Sequence, residues 1–351
     1  MSDAAKKIRT EETLPLEKLD AWMKQHIAGL SGLPEITQYT GGASNWTYRL
    51  KYSSHDLVLR RPPAGTKASS AHDMKREFFI QKALMTFYPV PEMLTFCNDQ
   101  SVVGCDFYIM QRIDGIILRS NLPQGVTLNA DDARKLCINA IDYLIKLHRI
   151  DVSSANPELA AFSKGAGYTQ RQVNGWCDRF VKAKTWNVPS CNYVMQWLKE
   201  NIPQKEKLCM IHNDYRLDNL ILERGNLSNI IGVLDWEMAT IGDPLMDLGN
   251  SLAYWVQRDD DFVMRMFRRQ PTHLPGMMKR SEVINYYCEK TGNRADDFRF
   301  YEVFGLFRLA VIVQQIYYRY HHGQSRNKAF KNFWLMVHYL NWRCKKIIKA
   351  K

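Results

Sequence analysis

Nowhere does this 351-residue chain carry an apolar run approaching the roughly 20 residues that a bilayer-crossing helix needs, so no membrane span is expected. Its opening stretch, MSDAAKKIRTEETLPLEKLD, is polar and lacks the apolar core of a secretory signal. Cys-x-x-Cys pairs and Cys/His clusters are missing as well. The eight cysteines, at 97, 105, 137, 177, 191, 209, 288 and 344, are scattered, which predicts reduced, mostly buried thiols in a cytoplasmic protein. There are no internal repeats, no low-complexity tracts and no nucleic-acid-binding motif.

What the chain has in surplus is positive charge, a formal +12, on a background of 46% hydrophobic and 24% charged residues that is ordinary for a folded protein. The basic residues come in short groups: Lys6-Lys7, Arg60-Arg61, Arg268-Arg269, Lys279-Arg280 and the tail from Arg343 to Lys351. Such dispersal argues against a nucleic-acid stripe. It leaves two readings open, a solvated surface with a basic tail or a field that gathers small polyanions.

Periodicity divides the chain into a polar lead and first helix (1–35), a β-rich part (36–112) and a mainly helical part (113–351). An amphipathic helix is predicted around Leu16–Leu30, ended by Gly29, Gly32 and Pro34. Thr47–Tyr52 and Asp56–Arg60 read as a hairpin turning near Ser53-Ser54, followed by a helix from about Ser70, with Ser70 or Asp73 near its start. Val90–Phe96 and Asp106–Gln111 complete a small sheet. Beyond it, helices are predicted over Asp131–Arg149, Leu245–Tyr254, Ser281–Lys290, Arg299–Tyr320 and Phe330–Lys349. Short strands interrupt them at Met210–His212, Asn219–Leu222 and Ile230–Leu234.

The chemistry concentrates in residues 211–247, IHNDYRLDNLILERGNLSNIIGVLDWEMATIGDPLMD. Asp214 sits in a loop after a strand, where its carboxylate can accept a hydrogen bond from a substrate hydroxyl and take the proton late in phosphoryl transfer. Asn219, five positions on, offers a hard oxygen to Mg²⁺, and Asp235 projects from a strand end where metal-bound phosphates of ATP can sit. His212 is expected to brace the loop, and Arg216 to neutralise charge on the transferring group. Upstream, Gly41, Gly42, Ser44 and Asn45 form a loop whose backbone and side chains can approach phosphates. Arg60 can pair with Glu77 on the next helix and reach the α- and β-phosphates.

These motifs together are similar to the aminoglycoside phosphotransferase and choline-kinase-like family, whose fold resembles that of protein kinases. The resemblance runs in order through GGASNWTYRL (41–50), LVLRRPP (57–63), KREFFIQKAL (75–84), VPEML (90–94), FYIMQRIDG (107–115), HNDYRLDN (212–219) and GVLDWEMATIGDPLMDLG (232–249). With FRLAVIVQQIYYR (307–319), it is closer to a branch that also occurs fused ahead of acyl-CoA dehydrogenases, for which hydroxyacyl-CoA acceptors have been proposed.

The resemblance implies an α+β, protein-kinase-like two-lobed fold, with a small β-rich N-lobe and a larger helical C-lobe. It implies ATP- and Mg²⁺-dependent transfer to a small-molecule hydroxyl, with Asp214 as base and Asn219 and Asp235 as metal ligands. Glu77 would brace the phosphate-binding residue, the Gln111–Ile113 backbone would bond adenine, and Asp247 would steady the catalytic loop by accepting backbone N–H bonds. Two positions depart from the family pattern: Asn213 stands where glycine is common, and Arg60 where lysine is usual, a planar fork in place of a compact ammonium. The alternatives are an antibiotic kinase and a catalytically silent nucleotide-binding regulator. Candidate acceptor walls are Trp176, Trp186, Trp236, Trp255, Tyr317 and Tyr318, with Arg308, Arg319, His321 and His322. Neither nucleic acid nor membrane is an expected partner, and the oligomeric state is left open.

Overall fold

The computed structural model describes residues 13–39, 45–63, 73–152, 157–294 and 298–350. In chain order the first elements are α1 (Leu16–His26), β1 (Glu35–Tyr39), β2 (Trp46–Lys51), β3 (Asp56–Arg61), α2 (Met74–Leu84), β4 (Met93–Cys97), α3 (Gln100–Val103) and β5 (Phe107–Gln111). Next come α4 (Ala130–His148), α5 (Tyr168–Ala183), α6 (Asn192–Glu200), β6 (Cys209–Ile211), β7 (Leu220–Glu223), β8 (Asn226–Val233) and β9 (Thr240–Gly242). The chain closes with α7 (Pro244–Ala253), α8 (Phe262–Met266), α9 (Arg280–Thr291), α10 (Arg299–His321) and α11 (Phe333–Lys349). Two compact units result, one of residues 1–128 with 217–239, the other of 129–216 with 240–351.

In the first unit five strands form an antiparallel sheet in the order β1-β2-β3-β5-β4. Alternation along β3 decides what each face carries. Leu57 and Leu59 join Tyr48, Leu50, Phe107 and Ile109 against Leu19 and Met23 of α1. Val58 points the other way, with Tyr108 and Met110, onto Met74 and Phe78 of α2. Arg60, two residues on, shares the α2 face. Helix α2 starts where Asp73 caps it, the Asp73 carboxylate accepting from Arg76 N at 2.9 Å. The structure differs from the sequence reading here: β1 and α3 were not anticipated, the strand expected over Val90–Phe96 runs Met93–Cys97, and α1 stops at His26, ahead of the Gly29 turn at φ 78°. The β7–β8 hairpin packs in this unit, with Val233 N–H donating to the Pro89 carbonyl at 2.7 Å.

The second unit is helical around a two-stranded ladder, β6–β9, in which Ile211 pairs with Thr240. Helices α7 and α10 cross at very short range. A Cβ on Gly249 would lie 2.4 Å from the Tyr301 carbonyl oxygen, and one on Gly305 would lie 2.2 Å from that of Gly249. All eight cysteines are free, seven of them buried, and burial pushes the Cys137 and Cys191 thiols up to about 12. Among the described residues no helix is long and apolar enough to cross a membrane.

Candidate functional site

In the first unit the side chains converge on Arg60. Its Nη2 lies 2.7 Å from Asp235 Oδ1 and 3.2 Å from Glu237 Oε2, and its Nε lies 3.3 Å from Glu77 Oε1. The register of β3 brings the guanidinium to the α2 face, and Glu77 on the first turns of α2 meets it there. Burial works against the Arg60 charge, but Glu77 and Asp235 hold it protonated far above its ordinary range. Burial likewise pushes the Glu77 carboxyl above its usual value although Arg60 pulls the other way; Asp235 adds to the push.

Asp235 follows β8 in a left-handed conformation (φ 67°), uncommon for a residue with a side chain, and begins the single 3₁₀ turn Trp236–Met238. That turn is tied down on both sides. Asn45 Nδ2 donates to Glu237 Oε2 at 3.1 Å, while Arg76 donates to the carbonyls of Glu237 and Ala239. Asn219 is buried at the end of a 3₁₀ turn, Leu217–Asn219, and does not open the strand as its sequence suggested. Its carbonyl accepts from Leu234 N at 2.8 Å, which links it to the Asp235 segment. Gly42 and Ser44 lie outside the described residues. At the end of β5 the Gln111 and Arg112 amides donate to the carbonyls of Glu92 and Asp56, while Ile113 packs against the Cβ-less face of Gly232.

The donors suit magnesium, being hard oxygens only: the Asp235 carboxylate, the Asn219 amide and, beside them, Glu237. Three carboxylates here face two guanidiniums, Arg60 and Arg76, leaving negative charge for a cation to offset. Among the described residues no three His, Cys, Asp or Glu side chains are grouped to hold a metal unaided. An ion at Asp235 would therefore take most of its ligands from phosphates and water, as Mg²⁺ commonly does.

In the second unit the loop after β6 hangs from one buried carboxylate. Asp247, on the first turn of α7, accepts His212 N–H at 2.8 Å on Oδ2 and Asn213 N–H at 2.7 Å on Oδ1. Oδ2 also meets His148 Nε2 at 3.1 Å, and His148 Nδ1 lies 2.7 Å from the Tyr287 hydroxyl. A carboxylate only accepts, so Nε2 must carry the proton. Burial alone would raise the Asp247 pKa, but the His148 hydrogen bond, the electrostatic influence of His148 and His212 and the His212 amide bring it below the ordinary carboxylate value.

Asn213 adopts φ 64°, which explains how it replaces a glycine: asparagine tolerates the left-handed region best among residues with side chains. Its amide is anchored by the Tyr168 hydroxyl and by Asn250 Nδ2, 3.2 Å away. His212 Nδ1 accepts Asp214 N–H at 3.2 Å, the bracing its position suggested. The Asp214 carboxylate meets Arg216 Nη2 at 3.2 Å, and the Arg216 guanidinium lies 4.6 Å from the centroid of the Tyr254 ring. Both side chains remain partly open to solvent.

A carboxylate on a rigid loop, with a guanidinium beside it, is what a phosphoryl acceptor requires. The sequence model of the phosphotransferase enzyme family matches residues 35–281. The chain belongs to that family. It is 34% identical over 322 residues to acyl-CoA dehydrogenase family member 10 of Mus musculus, covering 91% of this chain and 30% of that protein. To family member 11 of Homo sapiens it is 32% identical over 331 residues, covering 90% and 41%. This phosphotransferase chain thus spans well under half the length of these curated relatives.

Among solved structures, a Ralstonia eutropha protein assigned as an aminoglycoside phosphotransferase superposes with a TM-score of 0.81 at 28% identity, over 97% of this chain and 100% of that one. Choline kinase of Cryptosporidium parvum follows the same fold at a TM-score of 0.66 and 13% identity, over 94% and 95%. The α+β, kinase-like two-lobed fold and the branch resemblance read from the sequence are therefore those found.

Some sequence expectations need correction. Trp236 is fully buried, its Nε1–H donating to the Val233 carbonyl and its ring edge-on to Tyr88, and Trp255 is buried with its Nε1–H on the Met278 carbonyl. Both are core, so neither walls an acceptor site. Trp186, Arg319, His321 and His322 are exposed, and the Tyr317 hydroxyl accepts from Asn187. Missed altogether were His148, Tyr287, Tyr168 and Asn250, which hold the loop. The one available signal was His148 itself, a polar residue continuing the apolar stripe Leu144–Leu147 of α4.

Proposed function

We propose that the chain transfers the γ-phosphoryl group of ATP, with Mg²⁺, to a hydroxyl of a small molecule. The observation that carries this reading is Asp214 on a loop whose two preceding amides are fixed to Asp247, with Arg216 at its side. In the reaction the acceptor O–H donates to Asp214. An O–P bond forms as the bond from the γ-phosphorus to the ADP oxygen breaks, and the proton passes to the Asp214 carboxylate. Arg216 neutralises charge on the phosphoryl oxygens. The metal, when bound through Asp235 and Asn219, supplies charge neutralisation on the phosphates.

On the donor side the 36–112 segment takes the nucleotide. Gly42, Ser44 and Asn45 approach phosphates, Arg60 reaches the α- and β-phosphates, and Glu77 holds Arg60 in place. The backbone of Gln111–Ile113 receives adenine, chiefly through the Ile113 N–H, since the Gln111 and Arg112 amides already have partners. The 113–351 segment supplies catalysis and the acceptor. Free, mostly buried thiols suit a cytoplasmic setting. Kinship with acyl-CoA dehydrogenase family members supports a hydroxyacyl-CoA-like acceptor over an antibiotic.

The test is a coupled ADP-release assay across hydroxyacyl-CoAs, amino alcohols, sugars and aminoglycosides. Asp214→Asn should lower kcat by roughly 10²–10⁴-fold with nucleotide affinity nearly intact, and Asp235→Asn should raise the Mg²⁺ requirement. Loss of ATP binding in Asp214→Asn, or ATP binding with no turnover of any acceptor, would refute this assignment.

A further inference from the structure

We propose that the outer face of α8 and α11 docks on an anionic lipid surface, its exposed apolar side chains entering the headgroup layer and its cations meeting lipid phosphates. This role is independent of phosphotransfer.

Helices α8 and α11 lie side by side. The Tyr339 hydroxyl donates to Asp261 Oδ2 at 2.6 Å, and the rings of Phe267 and Phe333 are 6.5 Å apart. Around this seam large apolar side chains stand in solvent. On α8 they are Phe262, 71% exposed, and Met266, 59%; on α11 they are Leu335, 50%, and Trp342, 51%. The first two are four residues apart and the second two seven, so each pair lies on one side of its helix. Tyr339 sits between Leu335 and Trp342, its ring 5.8 Å from the indole, and ties both to α8. Single exposed apolar residues are ordinary, but four around one seam mark a contact surface.

Charge says what that surface meets. From Val303 to Lys351 the chain carries ten Lys and Arg and no Asp or Glu, so ten of its twelve net positive charges fall there. On the two helices and at their ends Arg265, Arg269, Lys331, Lys346 and Lys349 are exposed, and among the described residues none has a carboxylate within ion-pair distance. The neighbouring carboxylates are already matched: Asp259 with Lys279, Asp260 with Arg280 and Arg343, and Asp261 with Arg343 and the Tyr339 hydroxyl. Lys346 Nζ lies 5.5 Å from the Trp342 ring centroid, so ammonium and indole are presented together. A headgroup layer takes up both, rings at its acyl boundary and ammoniums at its phosphates. A soluble polyanion would meet the cations and leave the apolar tips in water. Docking of this kind needs no spanning helix, and among the described residues there is none. A membrane partner was not expected from the sequence, which does not show that these four side chains stay outside the core.

The test is co-sedimentation of the whole chain with vesicles of phosphatidylcholine, alone or with about one-third phosphatidylserine. Binding to the anionic vesicles is expected, with far weaker binding to the neutral ones and release at high salt. Lys346→Gln combined with Lys349→Gln should weaken binding roughly 30-fold, because two surface cations are lost. Phe262→Ser combined with Trp342→Ser should weaken it roughly tenfold or more. Neither pair should move the melting temperature or the affinity for ATP, since all four side chains are exposed. No binding to either vesicle overturns the proposal, as does equal binding to both. Loss with the lysine pair but not with Phe262 and Trp342 would mark a site for soluble polyanions or an acidic protein, and loss with neither pair would place the binding on another surface. Both of those outcomes overturn it as well.

Discussion

Asp247 accepts both of the amides that precede Asp214, and replacing it with asparagine isolates its charge from its shape. The wild-type carboxylate accepts three donors: Asn213 N–H on Oδ1, and His212 N–H and His148 Nε2–H on Oδ2. Asparagine has one oxygen. In its better orientation that oxygen keeps the two donors of Oδ2, and its NH₂ then faces the Asn213 N–H at 2.7 Å, donor against donor. A charge-assisted hydrogen bond is lost and a buried N–H is left unmet, each worth about 1–3 kcal/mol, so about 2–6 kcal/mol is expected for the pair. Because the lost bond lies on the residue before Asp214, the damage should also reach catalysis. Urea melts should give the stability loss, hydrogen exchange should give faster opening of the Asn213 amide, and kcat should fall more than KM for ATP. The pH dependence follows the same bonds. The Asp247 pKa is lowered by folding, so its contribution is present above the ordinary carboxylate value and is lost as pH falls through the lower, folded one. A loss below about 1 kcal/mol, no more than one neutral hydrogen bond is worth, together with unchanged Asn213 exchange, would refute the role assigned to Asp247.

Two further predictions concern the same helix. Burial lifts the carboxyl of Asp243, the N-cap of α7, to about 6, above its unfolded value. The sign is therefore opposite to that of Asp247. Its ionisation costs stability that is intact near pH 4 and gone above pH 6, roughly 3 kcal/mol in all. Asp243→Asn keeps an acceptor for the cap and should flatten the pH dependence of unfolding between those limits; an unchanged slope would count against the assignment. Gly249→Ala sets a methyl against the Tyr301 carbonyl at 2.4 Å and should cost about 1–3 kcal/mol or more by overpacking. In a chain of this size each kcal/mol moves the melting temperature by about 1–2 °C, so a thermal melt unchanged within about 1 °C would show that α7 and α10 can separate without penalty.

The legible parts of this protein are those that chemistry writes locally. His212, Asp214, Asn219 and Asp235 lie close together in the chain, and Arg60 at a strand end with Glu77 on the next helix was readable as a pair. The illegible parts depend on distant partners. His148 meets Asp247 across 99 residues and Tyr287 across 139, and nothing in the sequence joins them. Trp236 and Trp255 mislead for a related reason: an aromatic residue next to a motif fills a core as readily as it lines a pocket. Helix α5 carries Val173, Trp176, Cys177 and Phe180 at helical spacing, but Gln, Arg, Asn and Gly between them dilute the signal. Strand β1, EITQY, has too weak an alternation to announce an edge strand.

The contact between Gly249 and Gly305 brings backbone onto backbone, with no side chain between α7 and α10 to act as a cushion. Asp247, which holds the loop bearing Asp214, rides on α7. Neither helix can tilt or slide to suit a larger acceptor without carrying its partner along. Changes of acceptor preference are therefore expected to arise by exchanging side chains on a fixed frame, and not by re-angling the helices themselves.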